Sequence, residues 1–171
     1  MKSAVVYYSL DGNTDFTAHE IARNIGADLI RIEPEKSYPS KGVRKFLRGG
    51  KSALSGETPK LKPYSFDPDK YDTVIIGSPV WASSPAPPIR SFAAQYADAI
   101  KDKRTAAFVC CSGSGAERAL DKMCGIFGKE AFDTTLFVID PKDRPSPEKI
   151  TMIREFSEGL DVPSDNDGEE E

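Results

Sequence analysis

Five short apolar runs punctuate the chain, and helical patterns fill the spaces between them. The runs are "AVVYY" (4–8), "DLIRI" (28–32), "TVIIG" (73–77), "TAAFVCC" (105–111) and "TTLFVID" (134–140). Their length and their content of Val, Ile, Phe, Tyr and Thr predict strands. After the first run, Ala18, Ile21, Ala22 and Ile25 recur at helical spacing, and Gly26 is placed to end that helix. Val43, Phe46, Leu47 and Leu54 form a second stripe. Pro87, Pro88, Ile89, Phe92, Ala93, Tyr96 and Ile100 form a third, with prolines suited to a first helical turn. "SGAE" at 114–117 reads as a capping box, with Ser114 as cap and Glu117 reaching back. Ser146 and Pro147 open a last helix that carries Ile150, Ile153, Phe156 and Leu160.

Strand and helix in alternation predict an α/β architecture: a parallel sheet covered on both faces. The middle runs are apolar throughout, as burial on two faces requires. The second run alternates Ile30 and Ile32 with Arg31 and Glu33, which suits a sheet edge. An edge position for strand two gives the doubly wound order 2-1-3-4-5. Ligands in such sheets bind outside the carboxyl ends of the strands, where the order reverses. The loops after strands one, three and four are therefore the place to look.

Composition narrows the partners. At 171 residues the chain is long enough for one full core. Residues 1–160 read as a single domain and 161–171 as an acidic tail, whose lack of apolar residues predicts disorder. The net charge is −4, but six of the acids lie in that tail, leaving 21 acids against 23 bases in the body. That balance does not suggest a nucleic-acid partner. No run approaches a membrane span and the N-terminus does not read as a signal peptide, so a cytoplasmic protein without a membrane partner is expected. Cys110, Cys111 and Cys124 are an odd count, which argues against a disulfide framework.

The three loops carry the candidate chemistry. In "SLDGNT" (9–14), a helix starts where Ser9, Asn13 and Thr14 offer donors and Gly12 lets the backbone approach. Free N–H groups and the positive helix end could hold a phosphate monoester without a cation, although an ordinary helix cap accounts for the same residues. In "GSPVWASSPAPP" (77–88), Trp81 is the only tryptophan. It reads as a stacking platform for a flat ring, or as an indole folded back on its own prolines. In "CCSGSG" (110–115), small residues could line a flat pocket edge, and a tight turn before a helix explains them equally well.

Taken together, in order and position, these loops resemble the flavodoxin family over residues 2 to about 160. The resemblance implies a flavodoxin-like three-layer doubly wound sandwich with a five-stranded parallel sheet, and FMN as cofactor. Ser9, Gly12, Asn13 and Thr14, with Leu10 and Asp11 between them, would form the phosphate loop. Ser78, Pro79, Val80, Trp81 and Ala82 would cover one side of the isoalloxazine ring, and Ser112, Gly113, Ser114 and Gly115 its other edge. Two departures stand out. Asp11 occupies a position where the family often has Thr, so its side chain is expected to turn away from a phosphate toward nearby backbone N–H groups. Ala82 stands where short electron carriers tend to have a flexible Gly. The insertion that interrupts strand five in larger flavodoxins is missing, since "TTLFVID" runs unbroken.

Other residues have plainer readings. His19, the only histidine, is expected on a solvent-facing helix side and not as a catalytic base, and no metal site of the usual zinc or iron kinds is expected. Cys110 and Cys111 could be redox thiols, but buried strand cysteines are the favoured reading, with Cys124 as helix packing. The bases between residues 36 and 62 (Lys36, Lys41, Arg44, Lys45, Arg48, Lys51, Lys60 and Lys62) are assigned to one solvated helix face. The sharper alternative is a docking surface for an acidic redox partner or the pyrophosphate of NADPH.

Three functions follow. An FMN electron carrier serving a redox partner protein is slightly favoured, with no catalytic residue assigned. An FMN-dependent NAD(P)H oxidoreductase of the quinone reductase type is the alternative. A cofactor-free binding protein of the same fold is the third. A phosphoacceptor receiver domain shares the strand order, but strand three ends in "IIGSPV" without an aspartate to accept the phosphoryl group.

Overall fold

The computed structural model describes residues 1–39 and 43–161, with the backbone alone for 43–47 and 161. Its strands are β1 (Ser3–Tyr7), β2 (Asp28–Arg31), β3 (Thr73–Trp81), β4 (Ser84–Pro85), β5 (Arg104–Cys111) and β6 (Thr134–Ile139). Its α-helices are α1 (Asn13–Ile25), α2 (Val43–Leu54), α3 (Pro87–Ile100), α4 (Ala116–Ile126) and α5 (Pro147–Asp161). The parallel strands run in the order β2-β1-β3-β5-β6. Counting the five parallel strands alone, this is the expected 2-1-3-4-5.

Alternation along each central strand divides its side chains between two cores. Val5 and Tyr7 of β1 join Ile21, Phe108 and Phe156 on the side of α1 and α5. Ala4, Val6 and Tyr8 join Ile89, Phe92 and Met123 on the side of α3 and α4. β1 lies between β2 and β3, with Val5 opposite both Leu29 and Ile75. β2 forms one edge of the sheet, burying Ile30 and exposing Arg31. β6 forms the other edge. Its Leu136 and Val138 are buried while Phe137 and Ile139 are exposed, so this run is covered on one face only.

Helix ends follow local chemistry in most places. Gly26 closes α1 in the left-handed conformation, and α3 starts with its prolines in the first turn. The Ser146 hydroxyl accepts the Lys149 N–H at 3.3 Å at the start of α5. The capping box at 114–117 does not form. Gly115 is the N-cap of α4, at φ 90°, without a side-chain cap bond. A β-carbon there would come within 2.6 Å of the Ser83 hydroxyl, so a glycine lets the two loops touch.

Three further expectations change. The loop expected at 77–88 is instead strand and hairpin: β3 continues to Trp81 and folds back into β4, with Trp81 opposite Ser84. Leu54 and Ile150, assigned to buried stripes, are exposed. On α2 the buried described positions are Gly49 and Ala53, and the side chains of Val43, Phe46 and Leu47 lie outside the described residues. The basic stretch is also divided. Arg48 and Lys51 are exposed on α2. Lys60 and Lys62, beyond the helix, pair with Glu35 at 3.0 Å and Glu33 at 3.1 Å. Residues 162–171, most of the acidic tail, are outside the described residues.

Candidate functional site

The carboxyl ends of β1, β3 and β5 open into a cavity of about 430 Å³. It lies where the strand order reverses, on either side of β1 and β3, as expected of a ligand site in an open α/β sheet.

From the first loop, Ser9, Leu10, Asp11, Asn13 and Thr14 line it. Gly12, at φ 97°, is the N-cap of α1 and does not itself form the wall. Its N–H donates to the Ser9 hydroxyl at 3.1 Å, and its carbonyl accepts the Phe16 N–H at 2.9 Å, the first bond of the helix. Being glycine, the N-cap makes no side-chain cap bond to α1. The N–H groups of its first turn are therefore presented at the cavity end, where they favour an anion. Arg31 fastens the turn from behind, donating to the Ser9 carbonyl at 3.2 Å and to Asp15 at 3.0 Å.

Asn13 lines the cavity, and its side chain also bonds the loop after β6. Its amide nitrogen donates to Asp143 at 2.7 Å, and its oxygen accepts the Lys142 N–H at 2.9 Å. The side chain thus ties down the loop that follows β6. That loop delivers a cation: the Lys142 ammonium donates to the Asp11 carbonyl at 3.0 Å. The turn read as a cradle without a cation has one beside it.

From the second loop, Pro79, Val80, Trp81 and Ala82 line the cavity. Ser78 does not. It is buried, and its hydroxyl accepts the Ala86 N–H at 2.9 Å, which holds the hairpin closed. Ala82 and Ser83 sit at the tip with φ of 49° and 54°. Positive φ at both central residues is what a two-residue hairpin of the right twist requires. The position noted for lacking a glycine is thus already in the left-handed conformation. Lys122 of α4 donates to the Ser84 hydroxyl at 2.7 Å and fixes the far side of the turn.

Trp81 packs against two tyrosines. Its indole meets the Tyr8 ring edge-on at 5.8 Å and the Tyr38 ring at 5.0 Å between centroids. A β-carbon on Gly49 would lie 3.3 Å from it, so α2 packs closely against the ring. The indole is a braced wall. Gly50, the next residue, reaches the cavity itself.

From the third loop, Ser112, Gly113 and Ser114 line the cavity, while Gly115 faces a neighbouring groove with Arg118 and Phe137. Cys110 and Cys111 also line the cavity although both are buried in β5. Burial pushes the Cys110 thiol up to about 12, only partly offset by hydrogen bonds from Thr17 and Thr14. It is a neutral thiol at pH 7, which is inert as a nucleophile.

Sequence reasoning missed Gly50, Asp140 and Lys142. Asp140 follows β6 at φ 41°, is buried and lines the cavity, with Arg144 3.6 Å from its carboxylate. Its N–H donates to the Cys111 carbonyl at 3.0 Å. The loop after the last strand lies at the same carboxyl edge of the sheet, so the rule that selected the other loops could have found Asp140 and Lys142. His19 is remote from this chemistry, exposed on α1 with Nδ1 2.9 Å from the Asp15 carbonyl. Among the described residues, no cluster of His, Cys, Asp and Glu is arranged to hold a metal, and no helix is long and apolar enough to cross a membrane.

Fold and site together define a doubly wound α/β protein whose cavity opens at the switch point beside the start of α1. The family model described as Flavodoxin matches residues 2–134, and the chain belongs to the flavodoxin family. Among solved structures it is similar to a flavoprotein from Lactobacillus acidophilus in complex with FMN. The two are 22% identical with a TM-score of 0.67, covering 83% of this chain and 95% of that one. A flavoprotein candidate from Bacteroides eggerthii is 20% identical with a TM-score of 0.74, covering 95% and 99%. The two-electron reduced flavodoxin of Megasphaera elsdenii is 16% identical with a TM-score of 0.55, covering 92% and 99%. No match is found among the curated proteins compared.

Proposed function

We propose that this chain binds FMN and carries electrons for a redox partner protein. One observation carries the reading: three loops far apart in sequence line one cavity that has an open helix start at one end and a braced indole in its wall. The volume is in the range of small-molecule sites. FMN, when bound, supplies the electron chemistry, and the protein supplies position and electrostatics.

The residues divide the work. The Ser9 hydroxyl, the Thr14 hydroxyl and the first-turn N–H groups of α1 hold the phosphate. Trp81, immobilised by Tyr8 and Tyr38, excludes water from one side of the ring. The amides of 112–114 and the tip of the β3–β4 hairpin face its polar edge. Asp11 and Asp140 line the same cavity.

The carrier role needs binding and tuning but no acid–base residue, and the one histidine is outside the cavity. The second reading, an NAD(P)H oxidoreductase, is favoured by exposed Arg48 and Lys51 on α2, the helix whose Gly50 reaches the cavity. Mixing the FMN-loaded protein with NADPH and a quinone separates the two. The carrier reading expects the flavin to stay yellow; rapid bleaching with turnover would overturn it.

A further inference from the structure

The start of α1 carries a cation that none of the three site loops supplies. Lys142 reaches across from the loop between β6 and α5 to the Asp11 carbonyl. A β-carbon on Gly12 would lie 2.9 Å from its ammonium nitrogen and 3.1 Å from its Cδ. The side chain therefore lies directly over the N-cap of the helix. The backbone that carries it is fixed: Asn13 Oδ1 accepts the N–H groups of Lys142 at 2.9 Å and Asp143 at 3.3 Å. Asn13 Nδ2 donates back to Asp143 at 2.7 Å. The Asn13 side chain thus holds a lysine beside the first turn.

We propose that Lys142 makes the cavity select a phosphorylated flavin over its unphosphorylated form, by bringing its ammonium to the anion at the first turn of α1. This rests on the FMN reading above. An ammonium has three donors, and the Asp11 carbonyl takes one of them. Asp143 forms a long ion pair with the Lys142 ammonium at 3.9 Å, beyond hydrogen-bond reach, so the other two donors are not held by that carboxylate. The side chain is half exposed, so its flexible stem can pivot while the clamped backbone stays in place. Asp11 and Asp140 line the same cavity, with Arg144 paired to Asp140 at 3.6 Å, and Lys142 adds positive charge beside the first turn of α1. Helix N–H groups alone favour any acceptor; a neighbouring ammonium discriminates between a phosphate and a hydroxyl by charge.

The test measures the affinity of native and Lys142→Gln protein for FMN and for riboflavin, each at low and high salt. The expected result is that the variant loses FMN affinity about tenfold. Its riboflavin affinity is expected to stay constant, and the salt dependence of FMN binding to flatten. Lys142→Arg is expected to keep most of the preference. Equal weakening of both ligands would make Lys142 a mere loop anchor and overturn the inference, as would no change in either. A native chain that binds riboflavin as tightly as FMN overturns it too, and leaves flavin binding standing. A native chain that binds neither flavin removes the cofactor reading itself, and the inference with it.

Discussion

Gly77 shows how little room individual residues have at the centre of this sheet. It lies in β3 opposite Phe108 of β5, and an added β-carbon would stand 2.1 Å from Cζ of that ring. The ring is fully buried and has nowhere to move. Gly77→Ala is therefore expected to destabilise the fold by about 1–3 kcal/mol through overpacking. Urea unfolding checks this: the midpoint falls while the slope stays constant, and an unchanged midpoint would mean the ring can yield. The same scale explains Trp81. Its indole is braced by Tyr8, Tyr38 and Gly49, so its position is set by packing before any ligand arrives. Aromatic pairs meeting edge-on contribute about 0.5–1.5 kcal/mol beyond their burial.

The β3–β4 hairpin is the element on which the site most depends. Besides its antiparallel pairing, it is held by a buried bond from the Ala86 N–H to the Ser78 hydroxyl. Ser78→Ala leaves that donor without its acceptor and is expected to cost about 1–3 kcal/mol. Faster hydrogen exchange at the Ala86 amide would report the loosened turn; unchanged protection would mean that another group accepts the bond. This hairpin also shows where sequence reading stops. Apolar runs and helix stripes reveal the five parallel strands, because burial on two faces leaves a continuous signal in residues such as Val74, Ile75 and Ile76. The hairpin tip is Ala82–Ser83, without the Gly or Asn that marks such turns, so nothing local announces it. The Ser114 capping box fails for a related reason: contact between Gly115 and Ser83 is tertiary, and it moves the cap by one residue. The cavity's three main loops were legible from strand order and loop chemistry. Asp140 and Lys142 lie at the same carboxyl edge and were open to the same rule, but the approach of Lys142 to the first turn depends on Asn13 reaching across some 130 residues of sequence.

At the scale of the whole molecule, buried and half-buried tyrosines set an alkaline limit to stability. Burial, with Glu57 adding to it, pushes the Tyr38 phenol up to about 12. Burial also raises Tyr7, with Asp15 adding to the shift, and Tyr64. In the unfolded chain a tyrosine loses its proton near pH 10. The folded state thus holds these protons more tightly, its advantage is complete below about pH 10, and it is lost as pH rises toward 12. Denaturant midpoints are expected to fall across that interval, in step with phenolate absorbance. Midpoints that stay flat would show that these phenols are solvated. Ligand binding acts on the same whole-molecule balance: FMN at a hundred times its dissociation constant adds about 2.7 kcal/mol to the native state. The central claim is that the three-loop cavity holds FMN with its phosphate at the start of α1. Calorimetric titration of the native protein and of Thr14→Ala with FMN tests it most directly. The account predicts one FMN per native chain and binding about tenfold weaker in the variant. Absence of binding by the native chain, or equal affinity in both proteins, would contradict it.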